Sequence, residues 1–345
     1  IYYETIRGCP FSCSYCLSSI DKTVRLRSLD LVFGELDFFL KNRVKQVKFV
    51  DRTFNCNHDH AYKIWKYIKE HDNGVTNFHF EIGGDLLREE DFELFKEFRP
   101  GLIQFEIGVQ STNLSTIEAI RRKMDLTELA EHVARVRSGE NIHQHLDLIA
   151  GLPHEDFASF HKSFNDVYRM RPDQFQLGFL KVLKGSYMEE VKEKYEIRYR
   201  SRPPYEVLAT KWLSYGDVLR LKRVEEMVEV HYNSFQFQAT MLALGNFYPD
   251  AFVMYETMGD FYEKKGYFGL KHSRIARYEI LWEFIGEAGL SEEAQGILRE
   301  TLSYDMYARD YVKNPPAFVL PRSHEYQRKV REFLAQESEQ PAVLS

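Results

Sequence analysis

Glu4-Thr5-Ile6-Arg7-Gly8-Cys9-Pro10-Phe11-Ser12-Cys13-Ser14-Tyr15-Cys16 follows the apolar run Ile1-Tyr2-Tyr3 and places three cysteines at C-x3-C-x2-C spacing. Cys56 is the only other cysteine among 345 residues. Three soft thiolates on one short loop suit iron–sulfur ligation. They cover three irons of a cubane and leave the fourth open to a substrate or cofactor. A structural zinc site asks for four protein ligands. Cys56, His58 or His60 could supply the fourth, but the spacing is not that of a zinc ribbon. A disulfide framework belongs to short, cysteine-dense secreted chains. A thioredoxin-like reading of Cys13-Ser14-Tyr15-Cys16 leaves Cys9 unexplained.

The chain alternates strand and helix outward from this loop. Strands are expected over residues 1–5, 46–50, 78–82, 102–107, 145–149 and 174–179. Helices are expected after Ser28 (Val32, Leu36, Leu40), through Ala61, Ile64, Trp65 and Ile68, through Phe92 and Phe95 up to Pro100, and over 115–123, 126–137 and 157–170. Consecutive βαβ units imply a parallel sheet. Six units fall short of the eight of a full barrel, so the expected fold is α/β, a partial (β/α)6 TIM-like barrel. Ligands of such sheets gather at the carboxyl ends of the strands, where Asp51, Glu81, Gln110 and Asp147 fall. After residue 180 the pattern changes. Residues 198–204 read as a basic connection, and a helical period is expected from Tyr205 onward. The dense aromatics from Phe235 to Tyr262 read as a helical core rather than a stacking platform for nucleic acid. Asn314-Pro315-Pro316 ends the helices, and the tail after Phe333 reads as loose. The expected division is a core over 1–184 and a mainly α-helical C-terminal domain over 185–345.

Hydrophobic residues make up 44% and charged residues 28%, with a formal net charge of −6. That is an ordinary globular composition, and it argues against a broad nucleic-acid footprint. No apolar run reaches the roughly 18 residues of a membrane span. Thiols kept for a cluster fit a reducing cytoplasm. The chain begins on Ile1 inside an expected strand, which reads as a fragment whose upstream part is missing.

The cysteine run, with Arg7-Gly8 ahead of it and Tyr15 inside it, resembles the signature of the radical S-adenosylmethionine (SAM) superfamily. The resemblance implies a 4Fe–4S cluster on Cys9, Cys13 and Cys16, SAM on the open iron, and reductive cleavage to a 5′-deoxyadenosyl radical. It also implies a partial barrel and an electron donor such as flavodoxin or ferredoxin. Val50-Asp51-Arg52-Thr53-Phe54-Asn55 looks like the second-strand exit of cobalamin-linked radical SAM enzymes. Ile107-Gly108-Val109-Gln110-Ser111, Ile120-Arg121-Arg122-Lys123 and Asp147-Leu148-Ile149-Ala150-Gly151-Leu152-Pro153 are similar to blocks of the oxygen-independent coproporphyrinogen oxidase branch. By that resemblance Glu81, Gln110, Arg122 and Asp147 contact SAM; Tyr15 is expected to pack either on the adenine or on the barrel wall. Arg122 would take the methionine carboxylate. The region after residue 184 resembles an uncharacterised helical domain found behind radical SAM cores that carry an upstream cobalamin-binding domain.

With no cysteine beyond Cys56, a second cluster is disfavoured. The leading expectation is a radical SAM enzyme associated with cobalamin, its cobalamin domain lying upstream, that performs methyl transfer or a radical rearrangement on a small-molecule or unknown substrate. The alternatives are a coproporphyrinogen-oxidase-like enzyme without cobalamin, and a non-catalytic metal-bearing interaction protein.

Overall fold

A computed structural model describes residues 1–309 and 312–321 and four later positions, 323, 325, 328 and 332. The tail after Phe333 lies outside the described residues. Two compact units make up the chain: Ile1–Ser234 with Asp250–Asp260, and Phe235–Pro249 with Phe261–Ser345.

The first unit is built on six strands: β1 (Tyr2–Tyr3), β2 (Gln46–Phe49), β3 (Asn77–Ile82), β4 (Ile103–Gln110), β5 (His143–Ala150) and β6 (Gln174–Phe179). They lie in one sheet in sequence order, every pairing parallel. The helices between them are α1 (Leu29–Lys41), α2 (His58–Glu70), α3 (Glu89–Phe95), α4 (Leu114–Ala119), α5 (Leu126–Ser138) and α6 (Phe157–Arg169). This is the expected (β/α)6 order, with β1 and β6 left as edges.

Side chains decide the two faces. Val47, Phe49, Phe78, Phe80, Ile103, Phe105, Ile107, Leu146, Leu148 and Phe175 are fully buried beneath the helices. Helices answer with their own stripes, Ala61, Ile64, Trp65 and Ile68 of α2 and Phe160, Phe164 and Val167 of α6. Trp65 stands against Phe95 at 5.3 Å and Phe105 at 5.8 Å. Burying such aromatics supplies most of the driving force for the unit. The alternate residues, Lys48, His79, Glu81, Glu106, His145 and Asp147, take the opposite, inner face.

The edge at β6 is closed by a side chain. The Asn233 amide accepts from Phe175 N and donates to Phe175 O, both at 2.9 Å, as a neighbouring strand would.

The stretch after residue 180 departs from expectation. Val207–Ala209 is a strand antiparallel to Arg198–Tyr199, and Val207 N donates to Leu180 O at 2.8 Å. Val207, Met188, Tyr195 and Ile197 join Ile117, Ile120, Leu152 and Leu180 in one apolar cluster. Burial of a β-branched residue against the sheet overrides the local helical spacing. The helix begins only at Tyr215, as α7 (Tyr215–Val228), where Ser214 and Asp217 form a capping box.

The second unit is helical, with α8 (Gln238–Leu244), the last turn of α9 (Ala251–Lys265), α10 (Arg274–Glu287) and α11 (Glu292–Arg309) in chain order; residues 251–260 of α9 belong to the first unit. Asp305 of α11 accepts from Ala239 N, Thr240 N and Thr240 Oγ1 at 3.0, 2.8 and 2.6 Å, which fixes the start of α8. Among the described residues no helix is long and apolar enough to cross a membrane.

Candidate active site

The cysteine loop leaves β1 and is tied at its neck. Ile6–Arg7 pairs with Arg25–Leu26, and Cys9 N donates to Asp21 O at 3.1 Å. Gly8 sits at φ +93°, where a Cβ would stand 2.2 Å from Thr23 O, so only glycine fits the neck. Two later segments clamp the middle: Ser14 N donates to Ile120 O at 2.9 Å, and Ser14 O accepts from Met188 N at 2.8 Å. Arg121, at φ +57°, stacks 3.3 Å over the Tyr187 ring.

Asp51 is part of this support. It is fully buried at the end of β2 and accepts from Thr5 N at 2.8 Å, Thr5 Oγ1 at 3.1 Å and Ile6 N. Its carboxyl binds the chain just before the cysteines and does not line the cavity. Burial raises it to about 6 against the pull of those hydrogen bonds. Arg7 lies outside the cavity as well, exposed and ion-paired with Glu4.

The eight residues expected as cluster and SAM ligands line one cavity of about 190 Å³: Cys9, Cys13, Cys16, Tyr15, Glu81, Gln110, Arg122 and Asp147. They come from the cysteine loop, three strands and the segment after α4. Arg122 lies beyond the end of α4 rather than in its last turn. Its Nη2 donates to Gly108 O, and its Nη1 faces Tyr15 OH at 3.5 Å and Cys13 Sγ at 3.9 Å. Gln110 is aimed by a bulge: the β4–β5 register shifts between Gly108 and Gln110, and Gln110 takes φ +73°. Gly108 keeps space for it, since a Cβ there would stand 2.1 Å from Gln110 Nε2.

Arg52, Thr53 and Glu106 line the same cavity without having been singled out. Glu106 was legible by period alone, two residues before Gly108 and four before Gln110 on the same face of β4. It accepts from Lys48 Nζ at 3.1 Å and lies 2.9 Å from His79 Nε2. The His79 and Lys48 hydrogen bonds outweigh burial and hold its carboxyl down at about 2. Asp147 has the opposite fate: burial, with Glu106 and Glu81 nearby, pushes it up to about 8. Burial raises Glu81 too, and burial raises the phenol of Tyr15.

The donor set fits a cluster. All four cysteines are thiols, and Cys9 and Cys13 are buried where burial raises the Cys9 thiol. Among the described residues no three His, Cys, Asp or Glu side chains converge as ligands of a single ion do. A cubane asks instead for three thiolates around one face, each on its own iron. His58 is bound to Asp91 at 2.9 Å, and Cys56 does not line the cavity. Burial raises the Cys56 thiol to about 11. Buried polar atoms Asp147 Oδ1, Gln110 Oε1 and Arg122 Nε have no hydrogen-bond partner, as expected of walls shaped for a polar ligand.

Residues 3–167 match the radical SAM superfamily, and residues 193–345 match a family described as a protein of unknown function (DUF4080). Residues 3–167 are thus a radical SAM domain. The chain is similar to the cobalamin-dependent radical SAM methyltransferase TokK of Streptomyces tokunonensis, 26% identical over 175 residues, covering 46% of this chain and 24% of that protein. It is also similar to the oxygen-independent coproporphyrinogen-III oxidase-like protein HemZ of Bacillus subtilis (strain 168), 26% identical over 234 residues, covering 57% of this chain and 42% of that protein. The chain thus spans less than half the length of either curated relative. In fold it resembles the cobalamin-dependent S-adenosylmethionine radical enzyme OxsB, solved with aqua-cobalamin and S-adenosylmethionine bound. The TM-score is 0.53 at 13% identity, over 97% of this chain and 58% of that one.

Proposed function

We propose that this chain is the radical-generating part of a cobalamin-associated radical SAM enzyme that carries out methyl transfer or a radical rearrangement on a small molecule. The observation that supports it most is the meeting of Cys9, Cys13 and Cys16 with Tyr15, Glu81, Gln110, Arg122 and Asp147 around one cavity. A 4Fe–4S cluster bound by the three cysteines supplies the electron for cleavage of SAM. The chain's own residues do the rest. Arg122 sets a fixed positive charge beside Cys13 and Tyr15, where the methionine carboxylate adds negative charge. Glu81 and Gln110 suit the amine and ribose. The tied neck at Gly8 and the clamps on Ser14 keep the thiols in place. Residues 1–184 serve as the core, and residues 185–345 shape the choice of substrate. Reduction comes from a flavodoxin- or ferredoxin-like donor, in keeping with a cytoplasmic setting.

The similarity to HemZ over 57% of the chain supports a second reading, an oxidase-like enzyme without cobalamin. The test is anaerobic reconstitution followed by a dithionite assay for 5′-deoxyadenosine. About four irons per chain are expected, with 5′-deoxyadenosine formed. Zinc taken up in preference to iron would overturn the assignment. Product formation by the intact protein that depends on added cobalamin selects the first reading, and independence selects the second.

A further inference from the structure

Four carboxylates line the cavity, Glu81, Asp85, Glu106 and Asp147, and the basic side chains around Glu81, Glu106 and Asp147 are shared unevenly among those three. Strand register sets Glu81 beside Glu106, Glu106 beside His145, and Gly108 beside Asp147. Lys48 Nζ and His79 Nε2 both meet Glu106 Oε2, at 3.1 and 2.9 Å. Arg122 is engaged by Gly108 O and faces Cys13 and Tyr15. Asp147 receives neither. Its Oδ1 makes no hydrogen bond, and His145 Nε2, 3.4 Å away, makes none either. From β6 the register neighbour is the uncharged Gln176. The groups acting on Asp147 are therefore Glu106 and Glu81, which oppose its ionisation along with burial, and Lys48 and Arg122, which favour it less strongly. Two carboxylates sharing a site separate their proton affinities, and the one with the cations ionises first.

We propose that Asp147 stands in the cavity carrying its proton, kept neutral by the fixed charge of Glu106, and donates a hydrogen bond to an oxygen of the bound nucleoside. Glu106 is then a positioning residue that sets the protonation of its neighbour. The inference rests on reading the cavity as the SAM site.

The experiment measures the SAM dissociation constant on the cluster-loaded chain without reductant, from about pH 6 to about pH 9.5, spanning the ordinary range of a raised carboxyl. Comparison of wild type with Asp147→Asn cancels the titration of SAM's own amine. Asp147→Asn, which still donates, keeps affinity within about twofold at pH 7 and removes the weakening expected above about pH 8. Asp147→Ala weakens binding about tenfold, the scale of one hydrogen bond. Glu106→Gln moves the weakening to lower pH by about one unit. Loss at pH 7 as large for Asn as for Ala overturns the proposal, because an ionised carboxylate would then be required. Infrared spectroscopy of the SAM-free chain separates the two layers of the argument. A protonated-carboxyl C=O band at pH 7 that disappears in Asp147→Asn supports the proton; its absence from wild type overturns it. The band present with Ala binding SAM as wild type does overturns the recognition step and removes Asp147 from the SAM site.

Discussion

The two faces of the six-stranded sheet differ by one residue in phase and by everything in chemistry. On the outer face Phe49, Phe80, Phe105 and Leu148 are fully buried against helices. On the inner face Lys48, His79, Glu106, His145 and Asp147 are equally part of the sheet, yet His145 Nε2 and Asp147 Oδ1 lack hydrogen-bond partners. A parallel sheet covered on both sides usually reads as unbroken apolar runs. Here the alternation marks a face kept for a ligand. The outer face gains stability by removing apolar surface from water. The inner face holds groups whose desolvation is only partly offset, and the remaining capacity to bond is what a ligand can use.

That contrast can be broken from either side. The largest expected effect is on the cavity side: Cys13→Ala should abolish iron loading, read by iron and sulfide content, while circular dichroism and the melting temperature stay close to wild type. Wild-type SAM cleavage by this variant would remove the cysteine loop from the site. On the outer face Trp65→Ala should cost about 3–5 kcal/mol in urea unfolding, because the surrounding phenylalanines close the void only in part. Any folded fraction should still load iron.

Glu106→Gln comes next, at roughly 2 kcal/mol at pH 7, since it strips a charged hydrogen-bond partner from Lys48 and His79. The sign follows from the lowered carboxyl. The native group ionises near 2 and the unfolded one near 4.5, so its contribution is complete above 4.5 and is lost as pH falls toward 2. Urea midpoints of wild type and variant should therefore converge in that window, and a gap that persists below it would deny the charge a role. The smallest stability effect belongs to Gly108→Ala, below about 1 kcal/mol, because the atom its Cβ meets is the mobile end of Gln110. SAM affinity should fall nonetheless as the Gln110 amide is displaced. Unchanged affinity would show that Gln110 does not need its present aim.

Local sequence carried a large part of this protein. Period-two alternation and helical stripes determined six strands, their helices and their order, because each element must bury its own apolar side. The spacing of Cys9, Cys13 and Cys16 and the strand positions of Glu81, Gln110 and Asp147 were enough to single out residues that line one cavity. Tertiary structure decided what spacing does not encode. Val207 left its helical period because the sheet offered it burial. Asp51, another strand-end carboxylate, turned to the backbone of Thr5 and Ile6 instead of the cavity. Glu106 and Asp147 are chemically alike on paper, yet one is held down at about 2 and the other pushed up to about 8. Their difference arises from which cations reach each carboxyl across neighbouring strands and how far each is withdrawn from water, and both depend on distances between residues remote in sequence.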